Sequence, residues 1–144
     1  MSKIFLLNYW MLKSEPGAYS WEQFWSDKTT VWSGIRNYAA RLNLRAMKTG
    51  DRCLFYHSNI GLQVVGIAEV IREAYPDPTA DTDTWSAVDL RAVQAFKKPV
   101  PLSVMKETPS LKNLELIRIS RLSVSKVSKA EYETLLKMGG LPVK

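Results

Sequence analysis

The sequence predicts an α+β fold, a small and partly closed barrel of curved strands interrupted by short helices. Three observations predict it. A long β-branched run, Val64-Val65-Gly66-Ile67-Ala68-Glu69-Val70-Ile71, is interrupted by a glycine, as at a bulge or a barrel bend. The helical stretches are short and begin at polar caps. Strand and helix patterns follow one another without a βαβ rhythm.

Tyr9 to Lys13 reads as a buried first strand, closed by Glu15-Pro16-Gly17. Ser20 opens a helix: Ser20 and Gln23 have capping-box spacing, and Tyr19 and Phe24 flank the cap at staple positions. A second helix covers Asn37 to Met47, with Tyr38, Leu42 and Ala46 on one row and Arg41, Arg45 and Lys48 on another. Gly50-Asp51 turns the chain. In the strand Arg52 to His57, Cys53, Phe55 and His57 face one way, Leu54 and Tyr56 the other. Ser58 to Gly61 is a turn, and Gln63 to Arg72 is the long strand that contains Gly66. Pro76 and Pro78 exclude regular structure over Tyr75 to Thr79. Trp85 to Phe96 is a further strand, broken by Pro99 and Pro101 before a short helix over Leu102 to Glu107. Glu115 to Val127 reads as one or two strands. Ser128 and Glu131 form a second capping box for a last helix, ended by Gly139-Gly140.

The 144 residues suffice for one domain, expected over 1–144, that buries a real core. Hydrophobic content of 46% and charged content of 24% are those of a soluble protein. A net charge of +6 favours a polyanionic partner. The single Cys53 excludes a disulfide framework and a cysteine-based zinc site. The apolar stretch Ile4 to Leu12 runs into Lys13-Ser14-Glu15-Pro16 without a cleavage site, and it is too short to span a bilayer. A cytoplasmic monomer is expected, without membrane attachment.

Most enzyme templates fail. The phosphate-binding glycine loops and the G-x-S-x-G elbow are missing, and His57 is the only histidine. No metal or cofactor is expected. Asp77, Asp81 and Asp83 read as a solvated polar turn. Trp21, Phe24 and Trp25 read as core. Trp32 stands at a turn beside Ser33-Gly34, and Trp85 at the mouth of a strand. With Lys13, Ser14, Asn37 and His57 at the ends of elements, they assemble the faces and hydrogen-bonding groups that a flipped base requires. Arg36, Arg41, Arg45 and Lys48 then serve flanking phosphates.

The runs "YWMLKSEP", "WSGIRNYAARLNLRAM", "GDRCLFYHSN", "VVGIAEV", "AYPDPTAD" and "RLSVSKVSKAEY" together resemble the EVE domain, of the PUA-like group, over about Tyr9 to Leu136. The resemblance implies a PUA-like pseudo-barrel that reads a modified base, a modified cytosine above all, in DNA or RNA. It implies ligand-binding roles for Lys13, Ser14, Trp32, Arg36, Asn37, Tyr38, His57, Ser58 and Trp85. Ala39 and Leu42 depart from the family, which often carries glutamine and asparagine there. The short segment from Pro78 to Trp85 resembles compact bacterial members. The competing reading is an enzyme similar to the ASCH-type amidohydrolases, with Lys13 and Glu15 as a general base pair, if burial lowers the lysine pKa, acting on a modified nucleoside.

Overall fold

The structure is a computed structural model, and it describes residues 7–143. Ile4 to Leu6, the start of the apolar stretch noted above, lie outside the described residues. Six strands form one open sheet in the order β2-β5-β4-β3-β1-β6. They are β1 (Tyr9–Ser14), β2 (Thr29–Trp32), β3 (Arg52–His57), β4 (Gln63–Pro76), β5 (Ser86–Pro101) and β6 (Val124–Val127). β1 and β3 run parallel, and the other neighbours are antiparallel. Among the described residues, five short α-helices decorate the sheet: α1 (Trp21–Asp27), α2 (Tyr38–Ala46), α3 (Leu102–Lys106), α4 (Glu115–Arg118) and α5 (Lys129–Met138). The expected α+β plan is the one observed.

The period of two along the strands sorts the core into two clusters. Trp10, Leu12, Cys53 and Phe55 join Trp21, Phe24, Trp32 and Leu44. Met11, Leu54 and Tyr56 join Phe96, Leu114 and Leu135. The alternation expected for β3 therefore holds. Gly66 sits where β4 shifts register against β5, and a Cβ there would lie 2.5 Å from the Trp21 ring. The glycine is required by that close approach.

Caps set the helix starts. Ser20 accepts from the Gln23 amide at 3.1 Å, but the Gln23 side chain donates to Asp27, so only half of the expected box forms. Asn37 accepts from the Ala40 amide, and Ser128 with Glu131 makes a complete capping box.

Five local expectations are corrected. Strand β4 continues through Tyr75 to Pro76, because register shifts loosen the ladder there and Pro76 ends the strand. Strand β5 runs past Pro99 to Pro101; Pro99 falls where β5 has no paired residue in β4. Glu115 to Arg118 is helical rather than extended: it buries Leu116, and the Glu115 carboxylate accepts from the Lys126 amide at 2.9 Å. Trp32 ends a strand, β2, rather than standing at a turn. Trp25, expected in the core, is 44% exposed beneath Lys28.

Candidate nucleic-acid interface

The end of β1 and the end of β2 open onto a cavity of about 360 Å³. Lys13, Ser14, Glu15, Tyr19, Trp32 and Ser33 line it, together with the apolar surface of Val31 and Ile35. Lys13 reaches the cavity from β1 and Glu15 from the residue just past the end of that strand. Lys13 Nζ donates to the Ser120 carbonyl, and burial pulls its ammonium below the usual lysine range. Ser14 donates its hydroxyl to the Tyr19 carbonyl at 2.5 Å. Trp32 is only 8% exposed; its ring meets Phe55 edge-on at 5.6 Å and Tyr19 at 6.4 Å, so it is both core and cavity wall.

The segment from Ser33 to Asn37 carries the cavity rim into α2, and Asp77 holds it. Its carboxylate is buried and accepts from the Gly34 amide at 2.8 Å, Arg36 Nη1 at 3.0 Å, and the amide and hydroxyl of Thr79 at 2.7 and 2.6 Å. Burial raises the pKa of this group, but the hydrogen bonds from Thr79, Gly34 and Arg36 outweigh it and bring the value to about 2. The solvated turn expected at Asp77 is thus a buried anchor. Gly34, with φ of +80°, adopts the left-handed conformation that aims its N–H at this carboxylate.

A second group of residues lies along α2. Tyr38 packs on Trp85 with ring centroids 5.0 Å apart, and Arg41 lies 4.8 Å over Tyr38. Arg36 and Arg41 both approach the Trp85 ring, at 5.7 and 5.8 Å. Arg41 and Arg45 each donate to the Thr84 carbonyl, and Arg45 Nε also donates to Ser86 Oγ. These two arginines therefore clamp the segment before β5 as well as presenting charge. Among the described residues, the Lys48 side chain makes no hydrogen bond or ion pair. Tyr38 and Leu42 are exposed; the buried side of α2 is Ala40, Asn43 and Leu44.

His57 and Ser58 sit apart from the cavity lining. His57 Nε2 accepts from the Trp21 amide at 3.1 Å, satisfying a donor at the start of α1. Burial lowers its pKa, with Glu22 opposing. The Ser58 amide donates to the Ser14 carbonyl at 2.9 Å. Of the residues expected to bind ligand, then, Lys13, Ser14 and Trp32 line the cavity, while Arg36, Tyr38 and Trp85 cluster beside α2. Asn37 caps that helix. Sequence reasoning missed Tyr19 and Asp77 as parts of the site. A second cavity of about 320 Å³, lined by Tyr9, Arg52 and Tyr132, contains none of the expected residues. Among the described residues, no helix is long and apolar enough to cross a membrane, and no cluster of potential metal ligands occurs.

The EVE domain model matches residues 8–138. The chain belongs to the EVE domain family. Thymocyte nuclear protein 1 of Mus musculus is 34% identical, over 92% of this chain and 74% of that protein. A crystal structure of an Agrobacterium tumefaciens protein superposes with a TM-score of 0.90 at 48% identity, covering 93% of this chain and 94% of that one. Human THYN1, whose crystal structure is a complex with DNA containing 5-methylcytosine, is 32% identical with a TM-score of 0.85, over 94% of this chain and 99% of that one. The EVE domain thus shares with these relatives a fold that extends across both the cavity and α2.

Proposed function

We propose that this EVE domain, acting as one unit over residues 1–144, binds nucleic acid carrying a modified base and holds that base in the Trp32 cavity. The observation that carries the reading is the composition of the cavity wall: aromatic surface, a cation and a carboxylate in one opening of about 360 Å³. A cytosine offers an exocyclic amine as donor and N3 and O2 as acceptors. Glu15 accepts from the amine, Lys13 donates to the ring acceptors, and Ile35 and Val31 offer apolar contact to a substituent at C5. The human relative bound to 5-methylcytosine-containing DNA supports the same ligand class. Arg41, Arg45 and Lys48 serve the phosphates, with a net charge of +6 to favour approach. His57 and Ser58 act as positioning residues through α1 and β1.

The test is a fluorescence-anisotropy titration of matched oligonucleotides with cytosine, 5-methylcytosine or uracil at one position, at several salt concentrations. Wild type should prefer the modified strand and weaken as salt rises. Glu15→Gln, which substitutes an exposed side chain, should lose preference for cytosine-type bases over uracil-type ones. Equal affinity for all strands would remove the modified-base reading.

A second reading is favoured by one observation: Lys13, with its lowered pKa, shares the cavity with Glu15. In a hydrolase, water would add to the carbonyl of an N-acylated nucleoside, and the amide bond would break to give a carboxylate and the free amine. Product release from acylated cytidines, abolished in Glu15→Gln, would establish it over the binding reading.

A further inference from the structure

We infer that Tyr38 and Leu42, on the outer side of α2, form an apolar platform for a base adjoining the one held in the cavity. The inference rests on the nucleic-acid reading above. The two side chains stand one helical turn apart on the same row. They are 62% and 61% exposed, a large apolar surface for a helix that already buries Ala40 and Leu44 elsewhere. Tyr38 is braced rather than buried: Trp85 lies against it at 5.0 Å and 32°, and the Arg41 guanidinium lies 4.8 Å from its ring centre. A ring oriented in advance loses little freedom when a ligand stacks on it.

Charge identifies the occupant. Residues 37 to 50 contain no acidic side chain, and Arg41, Arg45 and Lys48 run beside the apolar row. Apolar faces flanked by cations match base surfaces flanked by phosphates. Distance sets how far away the contacted base lies. Ile35 lines the cavity and Tyr38 follows three residues later, so their Cα atoms are at most about 11 Å apart. That corresponds to about one to three nucleotide steps at a rise of ~3.4 Å. Because any base presents such a face, the platform adds affinity without adding discrimination.

The experiment uses an oligonucleotide with one 5-methylcytosine and the fluorescent base 2-aminopurine placed one, two or three positions to either side, as single strand and as duplex. Wild type should change the 2-aminopurine emission at one of these positions. Tyr38→Ala/Leu42→Ala should lose that change and bind modified and unmodified strands about tenfold more weakly, with their ratio preserved. Leu42→Ala alone removes a side chain outside both core clusters and should shift affinity in the same direction at an unchanged melting temperature. Wild-type affinity and emission in the double variant would overturn the platform alone. Collapse of the ratio would also overturn it, by placing Tyr38 in the modified-base site itself. Failure of wild type to bind any strand would overturn the nucleic-acid reading and this inference with it.

Discussion

Asp51 and Asp77 are both buried carboxylates at turns, and each gathers hydrogen bonds from distant parts of the chain. Asp51 accepts from the Trp10 indole at 3.0 Å, the Asn8 amide at 3.1 Å and the Lys48 amide at 3.0 Å. Those partners are Trp10 in β1, Asn8 just before that strand and Lys48 just after α2, so Asp51 ties the frame together. Asp77 accepts from Gly34, Arg36 and Thr79, which form the rim between the cavity and the Tyr38–Trp85 cluster. The same chemistry thus serves architecture at one place and the shape of a cavity rim at the other. The Asp77 partner residues, Gly34, Arg36 and Thr79, are all exposed and can find water when released. The Trp10 indole is buried and cannot.

That difference is open to direct tests. Asp51→Ala should have the largest effect, lowering unfolding free energy by about 3–5 kcal/mol because a buried indole donor is left unsatisfied along with two amides. Denaturant titration measures it, and a loss under about 1 kcal/mol would erase the distinction between the two carboxylates. Asp77→Asn should lower stability by only about 1–2 kcal/mol, since its amide turns hydrogens toward existing donors that partly rehydrate. Its larger effect should be on oligonucleotide affinity, through the freed rim. A variant with wild-type affinity would place the rim outside the binding surface.

Acid separates the groups further. The pKa of Asp77 is about 2 in the folded protein, against an ordinary 3.8, so the unfolded chain binds the proton first. The stabilisation is therefore full above pH 3.8 and lost as pH falls toward 2. His57 acts in a higher window. Its folded pKa lies below the ordinary 6.5, so its contribution is complete above that value and declines as pH falls through the lowered one. His57→Gln should flatten the dependence of melting temperature on pH just below 6.5 while leaving the acid limb of Asp77 in place. The smallest stability effect belongs to Lys48→Gln, within about 0.5 kcal/mol, yet it should reduce the salt slope of binding by about one.

What the sequence made legible follows the range of the interactions involved. The caps at Ser20 and Ser128 act over three residues, and both start helices where expected; Asn37, expected as the first residue of its helix, is that helix's cap. The alternation in β3 and the bend at Gly66 are also local signals, and both appear. β2 was not legible, because Thr29 to Trp32 becomes a strand by pairing with Val88 to Arg91. The extended look of Glu115 to Arg118 gave way to burial of Leu116. At the site, Lys13, Ser14 and Trp32 were legible as polar and aromatic groups at element ends. Asp77 was not, since its role depends on Gly34 and Arg36, more than forty residues away. Arg41 and Arg45 carried a visible charge pattern, but their grip on the Thr84 carbonyl belongs to the folded chain alone.

The position of β1 also has a consequence for synthesis. This strand, near the start of the chain, lies between β3 and β6, with Tyr9 opposite Val127 and Leu12 opposite Val124. The Lys13 ammonium likewise rests on the Ser120 carbonyl. One wall of the cavity is thus translated before its fastening, by on the order of ten seconds on the ribosome. Until Ser120 and β6 emerge, β1 presents an unpaired edge and Lys13 lacks its backbone partner. The nascent chain can close its hairpins in order, but it fastens β1 on both sides only after Val127 has emerged. Such late closure of a pairing between distant segments is the slow step expected for a sheet with this topology.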